Sequence, residues 1–132
     1  MRDRIKKISL ANKQFLDCCI EIVENNLANP DFNAQVLAKR SNMSYSNLYK
    51  KVRSISGMSI SAFIRAIRLK KAAVLMLSSE NTINEIAFEV GIQDIKYFRE
   101  KFKSIYGMSP SIYIKKYRPL FNKEFSIIKK TG

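Results

Sequence analysis

The sequence predicts an all-α fold of seven helices, the fourth of which is the longest. Apolar residues recur at helical spacing, and no segment alternates apolar and polar residues for long enough to form a strand. The 132 residues include only four glycines and three prolines, and their positions divide the chain into helical segments. A stretch in the second half of the chain also repeats one in the first half, which predicts two units of similar fold.

The first two predicted helices lie before residue 41. Apolar residues of the first helix share one face, namely Leu16, Cys19, Ile20, Val23 and Leu27, and Pro30 follows it. Asn33 is an N-cap for a short second helix that runs through Arg40 and packs Leu37 and Ala38. The residues between Arg40 and position 44 are a turn.

The third and fourth helices are delimited by serine and glycine. Ser44 is a good N-cap for a helix that we expect to run to about Ser56, where Gly57 ends it. Ser59 then caps a long helix over Ile60–Ser78, and its wide apolar arc predicts burial between two partners.

The last three helices are delimited by residues of the same kinds. Thr82 and Glu85 have capping-box spacing and open a helix that runs through Val90, before a turn at Gly91. We expect the next helix from about Ile95 to Tyr106, where Gly107 ends it. A final helix begins at the pair Ser109-Pro110 and runs to about Tyr117.

An internal repeat relates the two halves. With an offset of 50 positions, nine of the eighteen residues of 51–68 are identical to those of 101–118. Upstream the offset becomes 49, which places Asn42 on Gly91. Asn and Gly are the residue types that tolerate the left-handed conformation of a tight turn between helices. Each half therefore has the pattern of a helix-turn-helix.

The charge is strongly positive and unevenly distributed. The formal net charge is +13, yet residues 1–31 balance five bases against five acids. Residues 32–79 carry nine bases and no acid, residues 80–94 carry four acids and no base, and residues 95–123 carry eight bases and one acid. Two separate basic blocks indicate a polyanion contacted twice, and nucleic acid is favoured over an anionic membrane surface.

The composition argues against catalysis, a metal site and a cofactor. The chain has no His and no Trp, and it has no glycine-rich phosphate loop and no paired-carboxylate cluster. Cys18 and Cys19 are adjacent and cannot form a metal-ligand pattern or an ordinary disulfide, so we expect small apolar packing in a reducing cytosol. No apolar run is long enough for a transmembrane helix or a secretion signal, which predicts a cytoplasmic location without membrane contact by this segment.

The second helix of each unit is the one that fits the major groove of DNA. In the first unit Leu48, Val52 and Ile55 should face the core, and in the second unit Phe98, Phe102 and Ile105 should do so. The side chains expected to project outward are Ser46, Tyr49, Lys50 and Arg53 in the first unit, and Lys96, Arg99, Glu100 and Lys103 in the second.

Three segments carry a resemblance to a known family: LAKRSNMSYSNLYKKV, GMSISAFIRAIRLKKAA and INEIAFEVGIQDIKYFREKFKSIYGMSPSIYIKKYR. They resemble the DNA-binding domain of AraC/XylS-family transcription regulators over about residues 15–118. The resemblance implies two homeodomain-like helix-turn-helix units joined by a long linker helix, which Ile60–Ser78 matches. The resemblance implies two recognition helices, at about 44–56 and 95–106, in successive major grooves of double-stranded DNA. It places base reading at Ser46, Tyr49, Lys50, Lys96, Arg99 and Glu100. It leaves both a structural role and a phosphate contact open for Arg68.

Other exposed residues are predicted to bind phosphate because they lie toward helix flanks or ends. This set is Ser44, Lys51, Arg53, Lys103, Lys115 and Lys116. Two positions depart from the family pattern. Ile92 stands where phenylalanine is usual, which packing should tolerate, and Glu100 stands where a base is common, although a carboxylate can accept from cytosine N4.

The segment NLANPDFN and the lysine in IKYF are similar to the output domains of hybrid two-component sensors. The predicted domains are an N-terminal linker (1–14), a first subdomain with the linker helix (15–80), a second subdomain (81–120) and a C-terminal tail (121–132). A fragment of a longer regulator is favoured over a stand-alone one, with a sensor or dimerisation domain elsewhere. RNA polymerase is a further candidate partner.

Two other classes of function compete with a sequence-specific regulator. One is a nonspecific or architectural nucleic-acid-binding protein, and the other is a helical protein-interaction module whose basic blocks are incidental. Salt dependence and competition with random DNA separate these classes, because only a specific reader discriminates strongly at physiological salt.

Overall fold

The computed structural model describes residues 8–131, and the side chains of residues 8–122. This part of the chain forms seven α-helices and no strand, which confirms the predicted fold class. The helices are α1 (Leu10–Glu24), α2 (Ala34–Arg40), α3 (Tyr45–Ser56), α4 (Ile60–Ser78), α5 (Ile83–Glu89), α6 (Ile95–Tyr106) and α7 (Pro110–Thr131). No described helix combines the length and apolar character needed to cross a membrane.

The described helices fall into two compact units, and the division within α4 lies between Ile67 and Arg68. The first unit contains residues up to Asn26 together with Asp31–Ile67. The second contains Leu27–Pro30 together with the chain from Arg68 onward. The sequence-based domain limits, at 1–14, 15–80, 81–120 and 121–132, remain a prediction.

In the first unit, α2 packs against both α1 and α3. Cys19 and Val23 of α1 are buried, as are Leu37 and Ala38 of α2. The expectation that both cysteines pack as small apolar residues was wrong for Cys18, which is exposed, while Cys19 is buried. Consecutive residues point about 100° apart around a helix, and Cys18 lies on the solvent side of the buried stripe that contains Cys19 and Val23. Burial raises the pKa of the Cys19 thiol, in keeping with a packing role.

The start of α1 lies inside the stretch assigned to an N-terminal linker, of which residues 1–7 are outside the described part. Ser9 is the N-cap, and its side chain accepts a hydrogen bond from the Asn12 N–H over 3.1 Å. The helix therefore begins at Leu10, earlier than the apolar pattern indicated, because the cap and not the first buried residue determines its start.

In the second unit, α6 packs against both α5 and α7. The buried core includes Phe98 and Phe102 from α6, as predicted, but Ile105 is 51% exposed and that prediction was wrong. The half-buried Tyr106 packs against this core instead, and its ring centre lies 4.5 Å from that of Phe102. Tyr113 of α7 closes the same aromatic cluster, so the space beside Phe102 is filled without Ile105.

The last helix is longer than predicted. The sequence predicts that α7 ends at about Tyr117, and the residue before a proline generally disfavours helical backbone. It instead continues through Pro119 to Thr131, across the predicted tail. A proline inside a helix removes one hydrogen bond, and here that loss does not end the helix. Arg118 anchors the preceding turn by donating from Nε to the carbonyl oxygen of Met76 over 2.6 Å.

Candidate nucleic-acid interface

The turn between α2 and α3 and the turn between α5 and α6 have the same backbone geometry. Asn42 has φ of 55° and Gly91 has φ of 78°, so both adopt the predicted left-handed conformation. The Met43 N–H donates to Ala38 O over 3.0 Å, and the Ile92 N–H donates to Ala87 O over 2.9 Å. These pairs differ by 49 positions, so the repeat seen in the sequence is also a repeat of turn hydrogen bonds.

The helices that follow these turns, α3 and α6, also begin and end alike. Ser44 caps α3 by accepting from the Asn47 N–H over 3.2 Å, and Asp94 caps α6 by accepting from the Tyr97 N–H over 3.1 Å. Each helix ends at a glycine of positive φ, Gly57 or Gly107. The caps set the first exposed turn of each helix, where a recognition helix contacts base edges.

The predicted base-reading residues lie on exposed faces of these two helices. On α3, Ser46, Tyr49 and Lys50 are exposed, while Leu48 and Val52 are fully buried on the other face. On α6 the exposed residues are Lys96, Arg99 and Glu100, opposite the buried Phe98 and Phe102. The spacing of three and four residues places each set in one continuous stripe.

The residues predicted to bind phosphate are all exposed, but three of them already make a contact within the chain: Ser44, Lys51 and Lys116, whose ammonium lies 5.4 Å from the centre of the Tyr117 ring. The predicted set is Ser44, Lys51, Arg53, Lys103, Lys115 and Lys116. Ser44 caps α3, as described above. Lys51 places its ammonium 4.2 Å from the centre of the Phe15 ring, so it joins α3 to α1 through a cation–π contact. Phosphate binding by these residues remains a prediction.

Arg68 of α4 has a structural role. The residue is buried, and its guanidinium donates to the carbonyl oxygens of Val90 over 2.6 Å and Asn29 over 3.0 Å, and to that of Leu27. Burial lowers the pKa of Arg68 below its ordinary value, because the charged form loses hydration. A guanidinium held by carbonyls of its own unit is not presented to a phosphate, which decides between the two roles that the sequence left open.

Two aromatic residues on α3 and α6 were not singled out from the sequence. Tyr45 stacks on Tyr49, and Tyr97 lies under the ammonium of Lys101 at 5.7 Å from its ring centre. Both pairs are four residues apart, which is the spacing that brings helical side chains together. This four-residue spacing is the feature of the sequence from which both contacts could have been predicted.

The departures from the family pattern have simple structural contexts. Ile92 is 7% exposed and belongs to the core of the second unit, so it takes the packing role expected of it. Glu100 is exposed on α6 and is free to face a ligand from that helix. Within the described part of the chain, no group of three or more His, Cys, Asp and Glu residues is placed to hold a metal ion.

Two units that each carry a short helix, a left-handed turn and a second helix with a basic exposed stripe define a double helix-turn-helix domain. A family model described as a helix-turn-helix domain matches residues 37–116. The chain belongs to the AraC/XylS family of transcription regulators, within their DNA-binding domain.

Individual relatives agree with this assignment. The chain is similar to histidine kinase P4 of Formosa agariphila, with 32% identity over 114 residues, which is 86% of this chain and 8% of that protein. It resembles the C-terminal domain of AraT, a response regulator from Geobacillus stearothermophilus, with 28% identity, a TM-score of 0.69 and coverage of 83% and 88%. It also resembles the DNA-binding domain of AdpA in complex with a target DNA, with 25% identity, a TM-score of 0.71 and coverage of 79% and 93%.

The chain is short beside its relatives. It spans 8% of the histidine kinase and 36% of the transcriptional activator RhaR from Pectobacterium carotovorum. Relatives other than the kinase include transcriptional regulators and activators of several bacteria. The similarity thus concerns only a part of these longer proteins.

Proposed function

We propose that the chain binds specific sites in double-stranded DNA and thereby regulates transcription, with α3 and α6 entering successive major grooves on one face of the duplex. The observation that carries the proposal is the matching pair of exposed stripes, one on each second helix, opposite a buried apolar face. Both helices have the caps that a recognition helix needs, and the bases concentrate in the two blocks that contain them.

The base-reading set is Ser46, Tyr49, Lys50, Lys96, Arg99 and Glu100, and the phosphate set is Ser44, Lys51, Arg53, Lys103, Lys115 and Lys116. Basic side chains in the middle of a recognition helix can donate to guanine O6 and N7. Those toward helix flanks or ends contact the DNA backbone, which fixes the register of the protein on the duplex without reading sequence. Location in the cytoplasm and contact with RNA polymerase are part of the same proposal.

The experiment is selection of binding sites from random duplexes, followed by competition between the selected site and random DNA at physiological salt. We expect a preference of roughly 10³-fold or more. We also expect protection of two adjacent helical turns, about 34 Å apart, on one face. Equal binding to all sequences would support an architectural protein instead, and absence of DNA binding would support a protein-interaction module.

We also propose that the chain is the output segment of a longer signalling protein. Its alignment with a small part of a histidine kinase and its likeness to the C-terminal domain of a response regulator support this. The test is to follow the reading frame upstream of Met1. A sensor or receiver domain encoded there is the expected result, and an in-frame stop codon with a translation start at Met1 would contradict it.

A further inference from the structure

Two tyrosines form a stacked pair on the outer face of α3. The ring centres of Tyr45 and Tyr49 are 6.2 Å apart, and the ring planes meet at 30°. Tyr45 is 45% exposed and Tyr49 is 36% exposed, so neither ring is part of the buried core. An aromatic pair in this geometry has a favourable interaction of its own, which restrains both side chains.

The pair lies where a recognition helix contacts DNA. Tyr45 is the first residue of α3, and Tyr49 is one turn further on, next to Lys50. The fold does not require tyrosine at either place, because α3 buries Leu48 and Val52 on its other face. Two large exposed apolar rings on one turn are therefore better explained by a ligand than by packing.

The second unit has no such pair. With the offset of 50 positions, Ile95 and Arg99 stand in place of Tyr45 and Tyr49. The corresponding turn of α6 thus presents a guanidinium where α3 presents an aromatic ring. This difference predicts that the two helices read chemically different base pairs.

The major groove offers one apolar group, the C5-methyl of thymine. Assuming the DNA binding proposed above, we propose that the Tyr45–Tyr49 pair reads a thymine methyl. Tyr49 contacts the methyl group, and Tyr45 is a positioning residue that holds the Tyr49 ring by stacking. A restrained ring loses little conformational entropy when it binds, which suits it to recognising so small a group.

The test replaces the thymines of the selected site by deoxyuridine one at a time, because that change removes only the methyl group. For the wild-type chain we expect one position in the half-site of α3 where affinity falls about fourfold, the value of one buried methyl. Tyr49→Ala should bind the thymine and uracil sites equally. Tyr45→Ala should reduce the discrimination, and Tyr45→Phe should restore it because the phenyl ring still stacks.

Matched controls test whether the Tyr49 ring, and not its hydroxyl or a residue of α6, contacts the thymine methyl. Tyr49→Phe should keep the discrimination, since the ring and not the hydroxyl contacts the methyl. Arg99→Ala should weaken binding but leave the thymine-to-uracil ratio unchanged, because Arg99 belongs to α6. Thermal unfolding of each variant confirms that it is folded.

Three results would overturn the inference. Site-specific binding that is indifferent to uracil at every position would reject the methyl contact while the proposed function stands. Loss of discrimination in Tyr49→Phe would show that the hydroxyl is the reading group. Failure of the wild-type chain to prefer any sequence would reject the proposed function itself, and this inference with it.

Discussion

Gly91 lies directly against the guanidinium of Arg68. A Cβ atom at position 91 would overlap both Nη1 of Arg68 and the carbonyl oxygen of Leu27, so the turn has no space for a side chain. The left-handed backbone of Gly91 would be unfavourable for other residues in any case. Two independent reasons therefore require glycine at the turn of the second unit, and they can be separated by mutation.

Gly91→Ala should destabilise the fold much more than Gly107→Ala. Both glycines have positive φ, but a Cβ at Gly107 would meet no atom within 4 Å. Gly107→Ala should cost about 1–2 kcal/mol from backbone strain alone. Gly91→Ala should cost clearly more, and Gly91→Val more again, as measured by urea unfolding of the free protein. Equal losses at the two glycines would show that the contact with Arg68 is unimportant.

Arg68→Met should lower the free energy of unfolding by about 2–4 kcal/mol, because three carbonyl oxygens lose a charged donor. Lys70→Met, at an exposed position of the same helix, is the control and should change stability little. The double variant Gly91→Ala/Arg68→Met should be less destabilised than the sum of the single variants, because one of the two overlapping groups is gone. Strict additivity would argue that the two residues do not interact.

Ser44 has two proposed roles that two substitutions can distinguish. Ser44→Ala should cost about 1 kcal/mol of stability because α3 loses its cap. Ser44→Asp should keep the cap, as Asp94 does for α6, but should weaken DNA binding on the order of tenfold at low salt by repelling phosphate. If Ser44→Asp is as stable as wild type and binds DNA equally well at low salt, Ser44 is a cap only.

Base readers and phosphate contacts should respond differently to alanine substitution. Lys50→Ala and Arg99→Ala should each cost about 1–3 kcal/mol on the selected site and relax preference at one or two base pairs. Lys103→Ala and Lys115→Ala should weaken binding to all sequences and reduce the salt slope by about one unit each. Titrations against the selected site and its single-base variants at several salt concentrations measure both effects. Uniform loss in Lys50→Ala and Arg99→Ala would show that these residues do not read bases.

The capping box of α5 should make a pH-dependent contribution to stability. Hydrogen bonds from Thr82 lower the pKa of the Glu85 carboxyl below its ordinary value of 4.5. A group whose pKa is lowered by folding stabilises the fold above its unfolded pKa, and that contribution disappears as pH falls through the folded pKa. The melting temperature difference between wild type and Glu85→Gln should therefore be constant near neutral pH and shrink below about pH 4.5. Glu80→Gln, outside the box, is the control, and an equal pH trend for it would contradict the assignment.

Helix starts and stops were predictable because each depends on a few neighbouring residues. Ser44, Asn33 and Thr82 accept the backbone N–H three positions ahead, as their sequence contexts indicated. Gly57 and Gly107 end their helices for an equally local reason, their left-handed backbone.

Features that depend on distant residues could not be predicted. The hydrogen-bond acceptors of Arg68 lie up to 41 positions away in the sequence. No local sequence pattern indicates which backbone carbonyls will accept from this side chain. Arg118 likewise reaches Met76, which holds α7 before Pro119. The exposure of Ile105 was missed because Tyr106 and Tyr113 together decide which side chain completes the core. Among the proposed DNA-binding residues, exposure could be inferred from periodicity, whereas the stacking of Tyr45 on Tyr49 needed side-chain positions.

The second compact unit is not a single stretch of chain. Two of the acceptors for Arg68, the carbonyls of Leu27 and Asn29, come from a short segment whose flanking residues on both sides belong to the first unit. A fragment beginning at Arg68 would keep Val90 as an acceptor but lose these two. Recombination between related genes at α4 would therefore separate Arg68 from the segment that evolved with it, so a viable chimera must inherit Leu27–Pro30 from the same parent as its second unit.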